Sequence, residues 1–342
     1  MVKAVSGDTN PDAYLTNYSY ALMTDDTVFV AGAASSRITV TAEAGKFDVY
    51  PPGYFWRDEA QVRPLGGRPV QVTYGLTDDT YTAEEWALEH VVDDRTRQNS
   101  RQQGRIDENA TRLLTGKQMI RADRIWATSF FKSGVWGMEI AGSADPDTDD
   151  PDQFLFWDDA ASTPISDIED WKDLIRAATG MEPNTLVLGS NVRKKLKNHP
   201  EFIDRTKYTS SAAITNAIMA ALFEVENLRV ARALYNTAAE KVPNKADGDK
   251  MGGKDLSFIV DPDSAWLGYI DPNPSLNSPT AIATFAWDSL VPGQTNDMGG
   301  VISRGRDGRA YSDYFHSRQA FGMKKVSDDL AVFIKNAVKP KA

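Results

Sequence analysis

The stretch from Asn184 to Thr209, NTLVLGSNVRKKLKNHPEFIDRTKYT, sets an apolar run, a glycine, a polar pair and a basic segment in the order from which phosphate pockets are built. With Gly189 as the floor of an anion site, Lys194 and Lys195 would supply its charge. The motifs that give such a site its mechanism are missing. GxxxxGK[ST] offers a ring of amide N–H groups plus a lysine, and GxGxxG lets the backbone approach a pyrophosphate closely. The run LVLGSNVRKKL has one glycine and matches neither. A glycine closing a strand, with Ser190 or Asn191 capping the next helix, explains the same order without a ligand.

Other chemistries fail in similar ways. Asp145, Asp147, Asp149, Asp150 and Asp152 form an acidic run. A calcium loop starting at Asp145 would need glycine at its sixth position and glutamate at its twelfth, and the chain has Asp150 and Phe156 there. The run therefore reads as a solvated acidic turn. His90, His199 and His316 stand far apart and outside any metal-ligand spacing. There is no cysteine, which excludes disulfides, thiol nucleophiles and thiolate metal sites together. No GxSxG elbow occurs. RGRDGR, at 304–309, reads as a turn between strands with a solvated face. No catalytic residue, cofactor site or metal site is expected.

The elements around these residues describe a chain of 342 residues, 41% hydrophobic, with eight tryptophans and enough apolar mass for a sizeable core. The formal net charge of −10 is the opposite of what a protein dedicated to gripping nucleic acid carries. No window approaches eighteen consecutive apolar residues, so no membrane-spanning helix is expected.

Residues 1–36 are small and polar, and read as an extended arm that orders on a partner surface. Residues 37–50 suggest a strand. Prolines and glycines punctuate 51–75, and two β-like runs flank PLGGRP, giving a long hairpin. Tyr54, Phe55 and Trp56 ride on it, and an isolated two-stranded ribbon cannot bury them. Residues 80–92 suit a helix, through the Thr82–Glu85 capping box, and a strand equally. Ile106, Ala110, Leu113, Leu114, Ile120, Ala127 and Phe131 recur with helical spacing, so 107–131 is expected as one long helix tolerating Gly116.

Ser166 with Glu169 predicts a helix over 167–179, closed by Gly180. A further helix is expected at 211–225 and a strand at 227–236. Residues 239–255 read as a polar surface loop, and short strands follow to 338. Strands flanking a mixed central block define an α+β pattern. The unexplained feature is apolar surface on the arm, the aromatic hairpin and the chain end, which points to a partner interface.

With these residues in view, the chain resembles the major capsid proteins of tailed bacteriophages with the Hong Kong 97-like fold. The resemblance rests on the strand, glycine and helix of 184–209 with Asn198, His199, Pro200, Asp204, Lys207 and Tyr208, and on the order of elements over 37–338. It implies an N-terminal arm at 1–36 and an extended β-hairpin loop at 47–79. It also implies a peripheral domain of 37–46, 80–165 and 311–342, with 107–131 as its long spine helix. An axial domain would take 166–310.

Arm and loop would lie on neighbouring copies, with Tyr54, Phe55, Trp56, Arg57, Arg63 and Arg68 as subunit contacts. Implied partners are the chain itself as hexamers and pentamers, a portal, a separate scaffolding protein and a decoration protein. The shell would enclose DNA without reading its sequence, form in the host bacterial cytoplasm, and involve no membrane. Some members cross-link a loop lysine. None occurs here between Phe47 and Gly116, so non-covalent contacts are expected instead. Two alternatives stand beside this reading. One is a bacterial compartment shell similar to the encapsulins, and the other is an acidic α+β hydrolase with a dispersed triad.

Overall fold

The computed structural model describes residues 28–49, 57–73, 75, 77–99, 103–147, 150–207, 214–237, 256–276, 278–295 and 298–340. Tyr54, Phe55, Trp56, Asp149, Tyr208 and the expected loop at 239–255 lie outside them.

In chain order the first elements are β1 (Ser36–Val40), β2 (Ala44–Val49), β3 (Thr77–Thr82) and β4 (Glu84–Asp93). Helices α1 (Asp94–Asn99) and α2 (Gln103–Phe130) follow, then β5 (Met138–Ser143) and β6 (Gln153–Leu155). Next come α3 (Pro164–Thr179), β7 (Thr185–Gly189), α4 (Ser190–Leu196), α5 (Pro200–Thr206) and α6 (Asn216–Leu222). The chain closes with β8 (Asn227–Ala231), β9 (Leu234–Asn236), β10 (Leu256–Phe258), β11 (Ala265–Gly268), β12 (Ile282–Trp287), β13 (Val301–Asp307), β14 (Ser312–Lys325) and β15 (Ala331–Lys335).

Six strands form one mixed sheet in the order β6-β5-β15-β11-β7-β8. Period-two alternation sorts its side chains onto two faces. Leu186, Leu188, Leu267, Val332 and Ile334 meet Ile168, Trp171 and Ile175 of α3, with Val192, Phe202 and Met219 of the short helices. Val187, Trp266 and Phe333 face the other way, onto Ala122, Trp126 and Phe130 of α2. Covered on both sides, β7 and β11 are buried along their whole length.

A second sheet is organised around the long strand β14. Its residues 312–321 pair with β4, 312–318 with β13 and 321–325 with β12, and β1 adds in parallel to β12. Gly322 is required within it, because a side-chain carbon there would sit 1.9 Å from the Thr82 carbonyl. The sheets cross the boundaries drawn from chain order. β5, β6 and β15 join strands from 166–310, whereas β12 and β13 join β4 and β14.

Helix α2 buries Ala110, Leu114, Met119, Ala122, Trp126 and Phe130. Two of the expected core positions fall elsewhere: Leu113 is exposed and Ile120 half-buried, on the solvent flank of the stripe. Residues 37–50 form two strands in two sheets, and so do 227–236. Residues 80–92 resolve as strand, because β14 supplies a ten-residue ladder that outweighs the local capping signal. Helix α3 begins earlier than its capping box. Pro164 stands at its start, the side chain of the N-cap residue Thr163 makes no capping hydrogen bond, and the Ile165 N–H donates to Glu201 Oε2 of α5 at 3.2 Å. Gly180 closes α3 at φ 74, as expected.

Candidate functional site

The former anion pocket is filled by the chain itself. The amides of Asn191 and Val192, at the start of α4, donate to the Pro262 carbonyl at 3.0 and 3.3 Å. Neither expected cap operates as one. Asn191 donates its amide to Asp263 Oδ1 at 2.7 Å, and Ser190 Oγ is buried without a partner. Gly189 is needed because a side-chain carbon would approach the Pro262 oxygen to 2.3 Å. No room remains for phosphate.

A serine and a histidine do meet. Ser162 Oγ lies 3.1 Å from His199 Nε2, and both residues are buried. The ring is oriented against hydrolysis, however. His199 Nδ1 accepts the Glu201 backbone N–H at 3.2 Å, so the neutral ring carries its proton on Nε2. That proton faces the Asp159 carbonyl at 3.0 Å. A catalytic histidine has the opposite arrangement, with Nε2 free to take the serine proton and Nδ1–H held by a carboxylate. Here His199 is the cap of α5 and ties it to the turn before α3.

Two of the three arginines of 304–309 are also occupied internally. Arg304 and Arg306 lie on β13, not in a turn, and with Arg97 of α1 they surround Asp313 of β14 at 2.9–3.1 Å. Arg97 and Arg304 also hold Asp107 of α2, at 2.8 and 3.2 Å, and Arg306 holds Asp94 at 2.6 Å. Burial pushes the Asp313 carboxyl up, but the arginines outweigh it and hold the group below the usual carboxylate range. Three arginines and three aspartates thus pin α1, α2 and β13 to β14, and sequence spacing alone had no way to pair them.

Among the described residues, the two most exposed large apolar side chains, Val62 and Leu65, are on the loop. Strands β2 and β3 form its base, in register from Ala44–Thr82 to Val49–Thr77, with Lys46 paired to Asp78 across them. Beyond that base the described residues 57–73 contain no strand, which corrects the continuous hairpin expected there. The PLGGRP turn does form: the Gly67 N–H donates to the Pro64 carbonyl at 2.9 Å, and Gly66 takes φ +80. Val62 and Leu65 are 98% and 107% exposed, as open as in an extended chain, and Val70 and Val72 are also exposed. Arg57, Arg63 and Arg68 are exposed on the same loop.

Residues 28–36 behave differently from the expected arm. Val30, Ala31 and Ala34 are buried against α2 of their own chain, so an arm lying on neighbours could only be formed by residues before these. Asp123 fastens this segment, and sequence reasoning had not singled it out. An acidic residue on the apolar stripe of a helix was the available signal.

Residues 156–251, which carry α3 to α6 and the strands β7 to β9, match the family described as Phage major capsid protein E. The major capsid protein of Burkholderia phage BcepMu is 27% identical over 226 residues, covering 66% of this chain and 69% of that protein. A phage-related protein from Bordetella bronchiseptica RB50 superposes with a TM-score of 0.68 at 20% identity, over 96% of this chain and 98% of its own. The capsid protein of cyanophage P-SCSP1u gives 0.50 at 8% identity, over 90% and 87%. The likeness to these solved structures shows a Hong Kong 97-like fold, and the family match and the relative make the chain similar to phage major capsid proteins.

Proposed function

We propose that copies of this chain build an icosahedral shell of hexamers and pentamers by laying the loop at 47–79, and the arm residues before 28, on neighbouring copies. The observation that carries this reading is the exposure of Val62 and Leu65 on a loop joined to the body by one short ladder. Apolar groups held out this far contribute nothing to the isolated fold, and burying each on a neighbour is worth about 1.5–3 kcal/mol. Summed around a closed ring, many such contacts give stable assembly from weak pieces. Tyr54, Phe55, Trp56, Arg57, Arg63 and Arg68 are the contact residues of this proposal, with arginine–carboxylate pairs in place of a covalent cross-link.

In the same reading the peripheral domain is 37–46, 80–165 and 311–342 and the axial domain is 166–310, with β5, β6 and β15 lent to the axial sheet and β12 and β13 to the peripheral one. The shell forms in the host cytoplasm, encloses double-stranded DNA without reading its sequence, and works with a portal, a separate scaffolding protein and a decoration protein. The chain is not an enzyme.

Replacing 51–75 by a short linker tests the loop. The expected product is a soluble, folded chain that forms no shells in electron micrographs. Normal shells from that deletion would refute the proposal.

A further inference from the structure

The solvent side of α2 carries a feature that neither the fold nor the shell contacts absorb. Lys117, Arg121 and Arg124 follow at spacings of four and three, which places them on one face over about 10 Å of helix. All three are exposed. Among the described residues they enter no ion pair, in a chain whose Asp and Glu outnumber Lys and Arg by 48 to 38. Of the three acids of the same helix, Asp107 is held by Arg97 and Arg304, Asp123 by the amides of residues 30 and 31, and Glu108 stands nine residues before Lys117.

The two arginines are also held in place. The Arg121 guanidinium lies 4.2 Å from the Trp86 ring centroid, and that of Arg124 lies 4.5 Å from Tyr235. Stacked guanidinium groups lose flexibility, while their edge donors stay available for planar, bidentate recognition. Between α2 and β4 these residues line an open groove of about 470 Å³ with no carboxylate in its wall.

We propose that this groove is a contact for the phosphate backbone of the enclosed nucleic acid, with Lys117, Arg121 and Arg124 each meeting a phosphate. The inference rests on the shell reading, which supplies a polyanion at high local concentration. The contact takes no sequence information, because charges on phosphate position a duplex without reading it. It is weak by construction. Three neutralised phosphates predict a log–log salt slope of about −2.7, or about a 40-fold loss of affinity between 50 and 200 mM salt.

The test uses the purified full-length protein and a fluorescently labelled 20-base-pair duplex of random sequence, read by anisotropy across that salt range. The variant is K117Q/R121Q/R124Q, and K194Q/K197Q, at the C-terminal end of α4, is the control for loss of general surface charge. The expected result is a slope near −2.7 for the wild type and the control, and a slope near zero for the triple variant, with all three proteins still forming shells in micrographs.

Equal binding by the triple variant and the wild type would overturn the proposal. So would polyglutamate displacing the duplex better than unlabelled DNA does, which would make the groove a site for acidic protein. Loss of shells in the triple variant alone would reassign the groove to a subunit contact. A wild type that forms no shells would count against the shell reading instead, while the anisotropy would still be read by itself.

Discussion

Asp123 of the long helix accepts the backbone N–H of Ala31 at 2.8 Å, and its carboxylate also takes the N–H of Val30 at 3.1 Å. The two residues are 92 positions apart, and both are buried. This clasp turns the last turn before β1 into part of the core, with Trp126 Nε1–H donating to the Ala34 carbonyl at 3.3 Å beside it. Hydrogen bonds from amides to a buried carboxylate are charge-assisted, and their loss leaves buried donors unsatisfied. Asp123→Ala is expected to lower unfolding stability by about 2–4 kcal/mol in urea titrations. A change below about 0.5 kcal/mol would show that the clasp adds nothing.

Two glycines make opposite predictions. Gly189→Ala drives a methyl against the Pro262 carbonyl and is expected to cost about 1–3 kcal/mol, because that backbone is locked by two amides of α4. Gly116→Ala meets nothing within 4 Å in the middle of α2 and is expected to stabilise by up to about 1 kcal/mol. Urea midpoints of the two variants should move in opposite directions.

Asp167 gives a pH signature. Burial raises its carboxyl to about 6, against the bonds it accepts from Trp157 and Thr163, with Asp170 and Glu201 adding to the rise. A folded-state value above the unfolded one means the native state binds the extra proton. Stability therefore falls as pH rises from about 4 to about 6, and stays lowered above that. Asp167→Asn keeps an acceptor for Trp157 Nε1–H, now at 2.8 Å, and removes the charge. It is expected to gain about 1–2 kcal/mol at pH 7.5, after allowance for solvent screening, and nothing at pH 3.5. Thermal melts at the two pH values decide the point.

Asp313 should behave in the reverse sense. Its carboxyl is held low by Arg304, Arg306 and Arg97, so the stabilisation is present above about pH 4 and is lost as pH falls through the depressed folded-state value. Asp313→Asn leaves three arginines without their shared carboxylate, and is expected to cost about 3 kcal/mol at neutral pH. Between pH 5 and pH 2.5 its stability should vary less than that of the wild type.

Val62→Asp with Leu65→Asp separates folding from assembly. Both side chains are fully exposed, so the melting temperature of the unassembled chain should stay within about 1–2 °C of the wild type. Shell formation, followed by sedimentation, should be lost, because a buried unpaired carboxylate opposes each contact on the neighbour.

Local patterns were legible where one element decides its own outcome. The apolar period announced α2, Gly180 closed α3, and PLGGRP made its turn, since helix periodicity, a left-handed cap and a proline–glycine turn are set by neighbours in the chain. The readings that failed or stayed open each depended on a distant partner. Residues 80–92 became strand because β14 lay alongside, and α3 started at Pro164 with Glu201 taking the Ile165 N–H. Leu113 and Ile120 fit the helical period but left the core, because the partners of α2 fix which face is buried.

The amino-acid sequence by itself determined the α+β class and the order of elements, which periodicity and turn chemistry write locally. Only the tertiary structure decided what the charged and polar groups do. It set Pro262 into the supposed phosphate pocket, turned the His199 ring away from base catalysis, and gathered Arg97, Arg304 and Arg306 around Asp313. The reason is physical. Periodicity and turn chemistry act over a few residues, whereas hydrogen bonds and ion pairs are made between groups that only the folded backbone brings within about 3 Å of each other.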